Sequence, residues 1–403
     1  MRIAVPNNIL ALDNILPDEP LLMMGAGPVP IPAKVAAANG IVINHLGDTM
    51  AHIIEQVKVM SRYVFQTQDG RILGVAGPGS AAMEMAVVNL VLPGSKVLSI
   101  CNGFFSHRLA QMAQRVGAEV VQLAIEDGEG ADAQRVEQYI IQHQPQVLTI
   151  VQGETSNTVC NNELAAIAAI AKQHDCLVIV DAVCTLSTMA FDMDEWGVDA
   201  VITGGQKGLS CIPGISLVGF SAKAWQHIEE RKDQLKHWCL DAKLADQFWY
   251  KKSYHYTAPV SGILAIHEAL RLVCSETLSV RFDRHLRCSQ ALQAGIEAMG
   301  LSLYVKPQAR LNSVVGITMP RGVESKALLS TMSKRFKVEI SGSFGPNIVR
   351  IGQMGEQCRA HNLFRTLHAF GASFNLLGQK LDLPAGMAAL ESALNKFQFS
   401  EGL

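Results

Sequence analysis

DAVITGGQKG (199–208) is an apolar run that ends in a glycine-rich turn holding one lysine, Lys207. Five runs of the same kind precede it: ILGVAG (72–77), KVLSIC (96–101), EVVQLAI (119–125), VLTIVQ (147–152) and CLVIVD (176–181). Runs that are apolar at nearly every position suit strands buried on both faces. Between them lie helical patterns such as SAAMEMAVVNLVL (80–92) and NNELAAIAAIAKQH (161–174), where Leu164, Ile167, Ile170 and Ala171 share one face. Strand–helix–strand alternation predicts an α/β fold, a mostly parallel sheet covered by helices.

Beyond about residue 255 the pattern changes. One long helical region is expected over 259–299, then strands at LSLYVK (301–306), SVVGITMP (313–320), KVEIS (337–341) and NIVRIGQ (347–353). Helices are expected near 324–336 and 360–376. This predicts an N-terminal arm (1–20), a large domain (21–277) and a smaller α+β domain (278–403). At 403 residues the chain is too long for one compact core. Its net charge of −2 gives no field that would favour nucleic acid or an anionic membrane. No apolar stretch reaches the length of a membrane span, and neither end reads as a secretory or peroxisomal address, so a cytoplasmic location is expected. Nine irregularly spaced cysteines, none in a C-x-x-C pair, suit free thiols rather than a zinc site, and no metal is expected.

Ligands of open α/β sheets bind beyond the carboxyl ends of the strands. After 72–77 comes Gly77-Pro78-Gly79-Ser80, either a plain connector or a cup whose backbone N–H groups meet a phosphate at a helix start. Asp181 closes 176–181 and either caps the next helix or faces a cationic nitrogen. Lys207 stands 26 residues on, one strand–helix–strand step away. A phosphate cup, a carboxylate for a pyridinium and a Schiff-base lysine are together the three contacts that pyridoxal 5′-phosphate (PLP) needs. Thr155 is either a turn hydroxyl or a partner for a ring oxygen. Arg350 lies in an apolar strand and needs an anion, either a structural carboxylate or that of a substrate.

With these phrases in order, the chain resembles the class V aminotransferases of PLP fold type I, in the alanine–glyoxylate and serine–pyruvate branch. The matching stretches run from about residue 21 to 375: MGAGPVPIP (24–32), YVFQT (63–67), AGPGSAAMEMAVVNL (76–90), CNGFFSHR (101–108), GETSNTV (153–159), VDAVCTL (180–186), TGGQKGLSCIPG (203–214), YHYTAPV (254–260) and VRIGQMG (349–355). The resemblance implies a seven-stranded, mostly parallel sheet and a homodimer with shared active sites. It implies that Lys207 holds PLP and shuttles the substrate proton, while Asp181 keeps the ring nitrogen protonated. Pro78, Gly79, Ser80 and Gln206 would meet the phosphate, Thr155 the ring hydroxyl, and Val183 one ring face. Arg350 would clamp the substrate carboxylate. Tyr254 and Thr257 match residues that reach the neighbouring subunit's phosphate.

Some positions depart from the pattern. Phe105 stands where some members stack a tryptophan, and Ser80 where some relatives have histidine. His45, in Asn44-His45-Leu46, either shapes substrate choice or is a packed loop residue. The segment 374–395 continues past the usual end and resembles the tail of pyridoxamine–pyruvate aminotransferase. The expected reaction is ping-pong transfer from an alanine- or serine-type donor to glyoxylate or pyruvate. Alternatives are pyridoxamine–pyruvate, ureidoglycine–glyoxylate or aminoethylphosphonate–pyruvate transfer. A cysteine desulfurase or lyase would need a loop cysteine before Arg350, and 340–349, with its run SGSFGPNIV, has none. A PLP-binding DNA regulator would need a helix-turn-helix segment, and no spare one is found.

Overall fold

The computed structural model describes residue 7 and residues 9–398; residues 1–6 and 8 of the expected arm lie outside the described residues. Seven strands form the main sheet: β1 Arg71–Ala76, β2 Lys96–Cys101, β3 Glu119–Ala124, β4 Val147–Val151, β5 Leu177–Asp181, β6 Ala200–Gly204 and β7 Ile215–Phe220. Their order across the sheet is β1-β7-β6-β5-β4-β2-β3. β7 runs antiparallel to both of its neighbours, and the other pairs are parallel. The six apolar runs of the sequence are six of these strands. The seventh, β7, is ISLVGF, a run of the same kind. Every residue of β4, β5, β6 and β7 is buried, as strands covered on both faces require. Each such Val, Ile or Leu contributes about 1.5–3 kcal/mol by leaving water.

Helices α1 Gly79–Leu90, α2 Phe104–Val116 and α3 Leu164–Gln173 cover this sheet. Four hydrophobic clusters form among the described residues, and two of them hold most of the buried side chains. The larger gathers side chains from Val35 to Leu278. The smaller gathers Met24 with side chains from Cys288 to Leu390.

The expected single helix over 259–299 is two, α4 Val260–Glu276 and α5 Leu278–Ala298. Thr277 separates them with a φ of +68°, outside any helix. LSLYVK is also corrected: it makes only a lone bridge, Leu303 with Ile317. Pro307 starts a short 3-10 turn directly after it, which ends the run. The small sheet is β8 Val314–Thr318, β9 Ser341–Gly342 and β10 Ile348–Gly352, in the order β8-β10-β9. Helices α6 Ala360–Leu376 and α7 Leu383–Gln398 close the chain, and α7 buries Leu390 in the smaller core.

The segment just before the active cavity crosses between the cores. Leu22–Met23 pairs in parallel with Val338–Glu339, and Ala26 N donates to Ser341 Oγ at 3.0 Å, 315 residues away. From there the chain turns into the cavity at Gly27.

Candidate active site

The parallel strands β1, β2, β4, β5 and β6 all end on one edge of the sheet, and a cavity of about 410 Å³ lies there. Pro78, Gly79, Ser80, Phe105, Thr155, Asp181, Val183, Gln206 and Lys207 line it. Of the remaining sequence candidates, Arg350 borders it through Thr155. His45, Tyr254 and Thr257 do not reach it. His45 packs edge-on against Tyr254 with ring centres 5.9 Å apart, on a surface where Tyr254 is 56% exposed.

Lys207 projects from the turn after β6, and its Nζ donates to the carbonyl of Ala26. Gly27 faces it at a φ of +96°, and a Cβ there would sit 2.7 Å from Lys207 Nζ. Glycine is required on both counts. Burial pulls the Lys207 amine below its ordinary value, which favours the neutral, nucleophilic form.

Asp181, at the tip of β5, accepts a hydrogen bond from Val183 N at 2.8 Å. It is buried, with no ion pair among the described residues. Burial raises its carboxyl to about 7, so a cation placed opposite would restore the carboxylate. The helix-cap reading of Asp181 is realised only as this local turn.

α1 begins at Gly79 directly beyond Pro78, and no side chain caps it. A Cβ on Gly79 would lie 2.9 Å from Val183 and 3.7 Å from Gly204, so only glycine leaves this cradle open. Gln206 Oε1 is buried without a hydrogen-bond partner. A half-turn of the amide would present its N–H₂ instead. An uncapped helix start, a polar amide in search of a partner and an unpaired buried acid together fit a ligand with an anionic group at one end and a cationic nitrogen at the other.

Arg350 is buried in β10. Its Nη1 donates to Thr155 O at 2.6 Å and its Nε to Gly342 O at 2.7 Å. No carboxylate pairs with it among the described residues, and burial lowers its pKa to about 10, which leaves it charged. The structural-ion-pair reading therefore falls, and the guanidinium keeps capacity for an anion.

Three further residues of the site carry no signal in the sequence. Arg108 Nη1 donates to Ser80 Oγ at 2.7 Å, and its guanidinium lies over Phe105 at 4.9 Å. Glu154, fully buried, accepts from the backbone N of Phe105 and Ser106 at 3.0 and 2.9 Å, which anchors the start of α2 behind the cavity. Cys184 lines the cavity, but burial pushes its thiol up to about 12 and it donates to Gly153 O at 3.0 Å. It is a packed thiol, not a nucleophile.

Residues 34–367 match the family described as Aminotransferase class-V. The chain belongs to the class-V aminotransferases. It is 33% identical over 353 residues to alanine–glyoxylate aminotransferase of Oryctolagus cuniculus, covering 85% of this chain and 90% of the relative. L-aspartate–glyoxylate aminotransferase of Paracoccus denitrificans is 30% identical over 375 residues, covering 91% and 94%. The crystal structure of ureidoglycine–glyoxylate aminotransferase from Bacillus subtilis superposes with a TM-score of 0.92 at 28% identity, covering 94% and 99%. This transaminase thus has the PLP fold type I architecture expected from its sequence, and its family implies PLP as cofactor. No helix among its described residues is long and apolar enough to cross a membrane.

Proposed function

We propose that this transaminase moves an amino group from a small amino acid of the alanine or serine type to glyoxylate or pyruvate, in two half-reactions that share one cavity. The observation that carries this reading is the meeting of Lys207, Asp181 and the open start of α1 in that cavity, with Arg350 at its border. PLP, when bound, supplies an aldehyde for the donor amine and a ring that withdraws electrons from the carbon losing its proton. Lys207 would hold the cofactor covalently until the donor amine takes its place there, and the freed Nζ, which burial shifts towards its neutral form, would carry the substrate's α-proton over to the cofactor. Asp181 keeps a proton on the facing ring nitrogen by charge pairing. Gly79, Ser80 and Gln206 take the phosphate, with Arg108 holding Ser80 in place. Thr155 would serve the ring hydroxyl, and Phe105 and Val183 would pack against the ring.

Arg350 grips the substrate carboxylate through its remaining N–H groups. The cations that line the cavity are Lys207 and Arg108, and Arg108 is already committed to Ser80 and to the ring of Phe105. A donor with an uncharged side chain needs no cation beyond Arg350. Tyr254 and Thr257 are exposed, with Tyr254 packed on the ring of His45 next to exposed Leu46, and we assign this surface to a second copy of the chain, whose phosphate the two hydroxyls would reach. The result is a homodimer with shared sites.

The test is the visible absorbance of the purified holoenzyme, recorded while alanine, serine, aspartate, ureidoglycine or pyridoxamine is added without any oxo acid. A shift to the amine form of the cofactor with alanine or serine supports the reading and names the donor. A shift with aspartate alone would replace the donor class. The ureido donor is the second reading, favoured by the likeness to the Bacillus subtilis structure.

A further inference from the structure

The two walls of the cavity come from distant parts of the chain, and one partly buried cluster ties them together. Glu276 closes α4, and the break at Thr277 leaves it facing the first turns of α5. Its Oε2 accepts from Arg281 Nη1 at 2.6 Å and from Arg284 Nη2 at 2.9 Å, and its Oε1 accepts from Arg284 Nε at 2.5 Å. Burial alone would raise this acid, but the two guanidinium groups outweigh it and hold the carboxyl down to about 2. A buried ion cluster is a poor source of stability, since desolvation offsets the attraction. What the remaining N–H groups reach is more telling.

Arg281 donates to the carbonyls of Gly208 at 2.5 Å and Ser187 at 3.0 Å. Gly208 adjoins Lys207. Arg284 donates to the carbonyls of Gly355 at 3.0 Å and Cys358 at 2.7 Å. Gly355 lies on the continuation of β10, the strand that holds Arg350. His285, kept neutral by burial, accepts from Gly355 N at 2.9 Å. The two segments also touch directly. Ser210 Oγ accepts from Glu356 N at 3.0 Å, and a Cβ on Gly355 would collide with that Oγ, so no larger residue fits.

We infer that Glu276 is a positioning residue: by orienting Arg281 and Arg284 it fixes the separation between Lys207 and Arg350. A substrate gripped by its carboxylate at one wall and attacked at the other reacts well only when that separation is held to a fraction of an ångström. The inference rests on the reading of Arg350 as the carboxylate anchor.

The test compares aminooxyacetate with methoxyamine, which share one nucleophile and differ by a carboxylate, each reacting with the lysine-bound cofactor of the holoenzyme. Wild type, Glu276→Gln and the milder Ser210→Ala are monitored by absorbance. In Glu276→Gln the aminooxyacetate-to-methoxyamine rate ratio is expected to fall about tenfold, with the methoxyamine rate within about twofold of wild type. In Ser210→Ala the ratio is expected to fall by a smaller factor, and this variant decides alone if Glu276→Gln does not fold. In the cofactor-free variants, hydrogen exchange of residues 207–211 and 353–359 is expected to rise together. A wild-type ratio well above one that survives in both variants, or a parallel loss of both rates, would overturn the positioning role alone. A wild-type ratio near one would remove Arg350 as the anchor and the positioning role with it.

Discussion

The wall around Lys207 and the surface around Tyr254 are opposites. The first is dry, with Asp181, Thr155 and Arg350 all buried. The second sets Tyr254 and Thr257 in the open, with exposed Leu46 next to the His45 ring on which Tyr254 packs. Both carry residues that the family resemblance assigns to one cofactor. The contrast separates what a single chain completes from what a partner has to supply. Chemistry that depends on shifted pKa values needs burial, and one chain provides it. Hydroxyl contacts to a phosphate need only reach, and a second chain can bring them.

Breaking the dry wall should have the largest effect. Lys207→Ala is expected to lower turnover by more than about 1,000-fold with the circular dichroism spectrum unchanged, and near-normal turnover would sink the assignment. Arg350→Lys loses the planar fork, and a charge-assisted bond contributes about 1.5–3 kcal/mol. Steady-state kinetics should then show KM for the amino donor raised by about 10- to 100-fold while the cofactor spectrum stays as it was.

Asp181 gives a pH signature. In the cofactor-free protein it stays protonated up to about 7, whereas in the unfolded chain it ionises near its ordinary value of 3.8. The unfolded state therefore sheds a proton first, and the cofactor-free fold loses stability as pH rises from 3.8 towards 7. Asp181→Asn should abolish that loss, seen as a smaller drop in Tm between pH 4 and pH 7, while weakening cofactor binding. An identical drop in both proteins would show that Asp181 is already ionised in the cofactor-free fold.

The exposed surface sharpens the contrast with the smallest effect. Tyr254→Phe removes about 1 kcal/mol of hydrogen bonding, so PLP affinity is expected to fall about fivefold. In mixed dimers the defect should appear in the site opposite the mutated chain. A defect confined to the mutated chain's own site would contradict a shared site.

Legibility in the sequence obeys the same division. Strand ends can be read because buried β strands announce themselves as apolar runs, and the residues just past each run face the crevice. Pro78–Ser80, Asp181 and Lys207 come from that rule, whereas the role of Gln206, in the same turn as Lys207, comes from the resemblance. Arg108 does not, because its meeting with Ser80 depends on how α1 and α2 lie side by side, and no local pattern encodes that. Glu154 reads as a loop acid until the start of α2 is seen to fold over it. Thr277 looks helical by composition, and the break there comes from tertiary packing, which outweighs a weak local preference. His45 is a candidate as a neighbour of the predicted substrate pocket, and folding sets it, half-buried, against Tyr254 and away from the cavity.

The crossing of residues 22–26 sets a timetable for the ribosome. Ala26 needs Ser341, and Leu22–Met23 needs Val338–Glu339. At about 5–20 residues per second, roughly 15–60 s pass between synthesis of the two ends of that contact. Once Phe220 has emerged the large domain can close its sheet, yet the segment that delivers Gly27 to Lys207 still lacks its partners at Val338–Glu339 and Ser341. A nascent chain arrested before residue 338 should therefore be protease-resistant around the sheet and open to cleavage near residue 25.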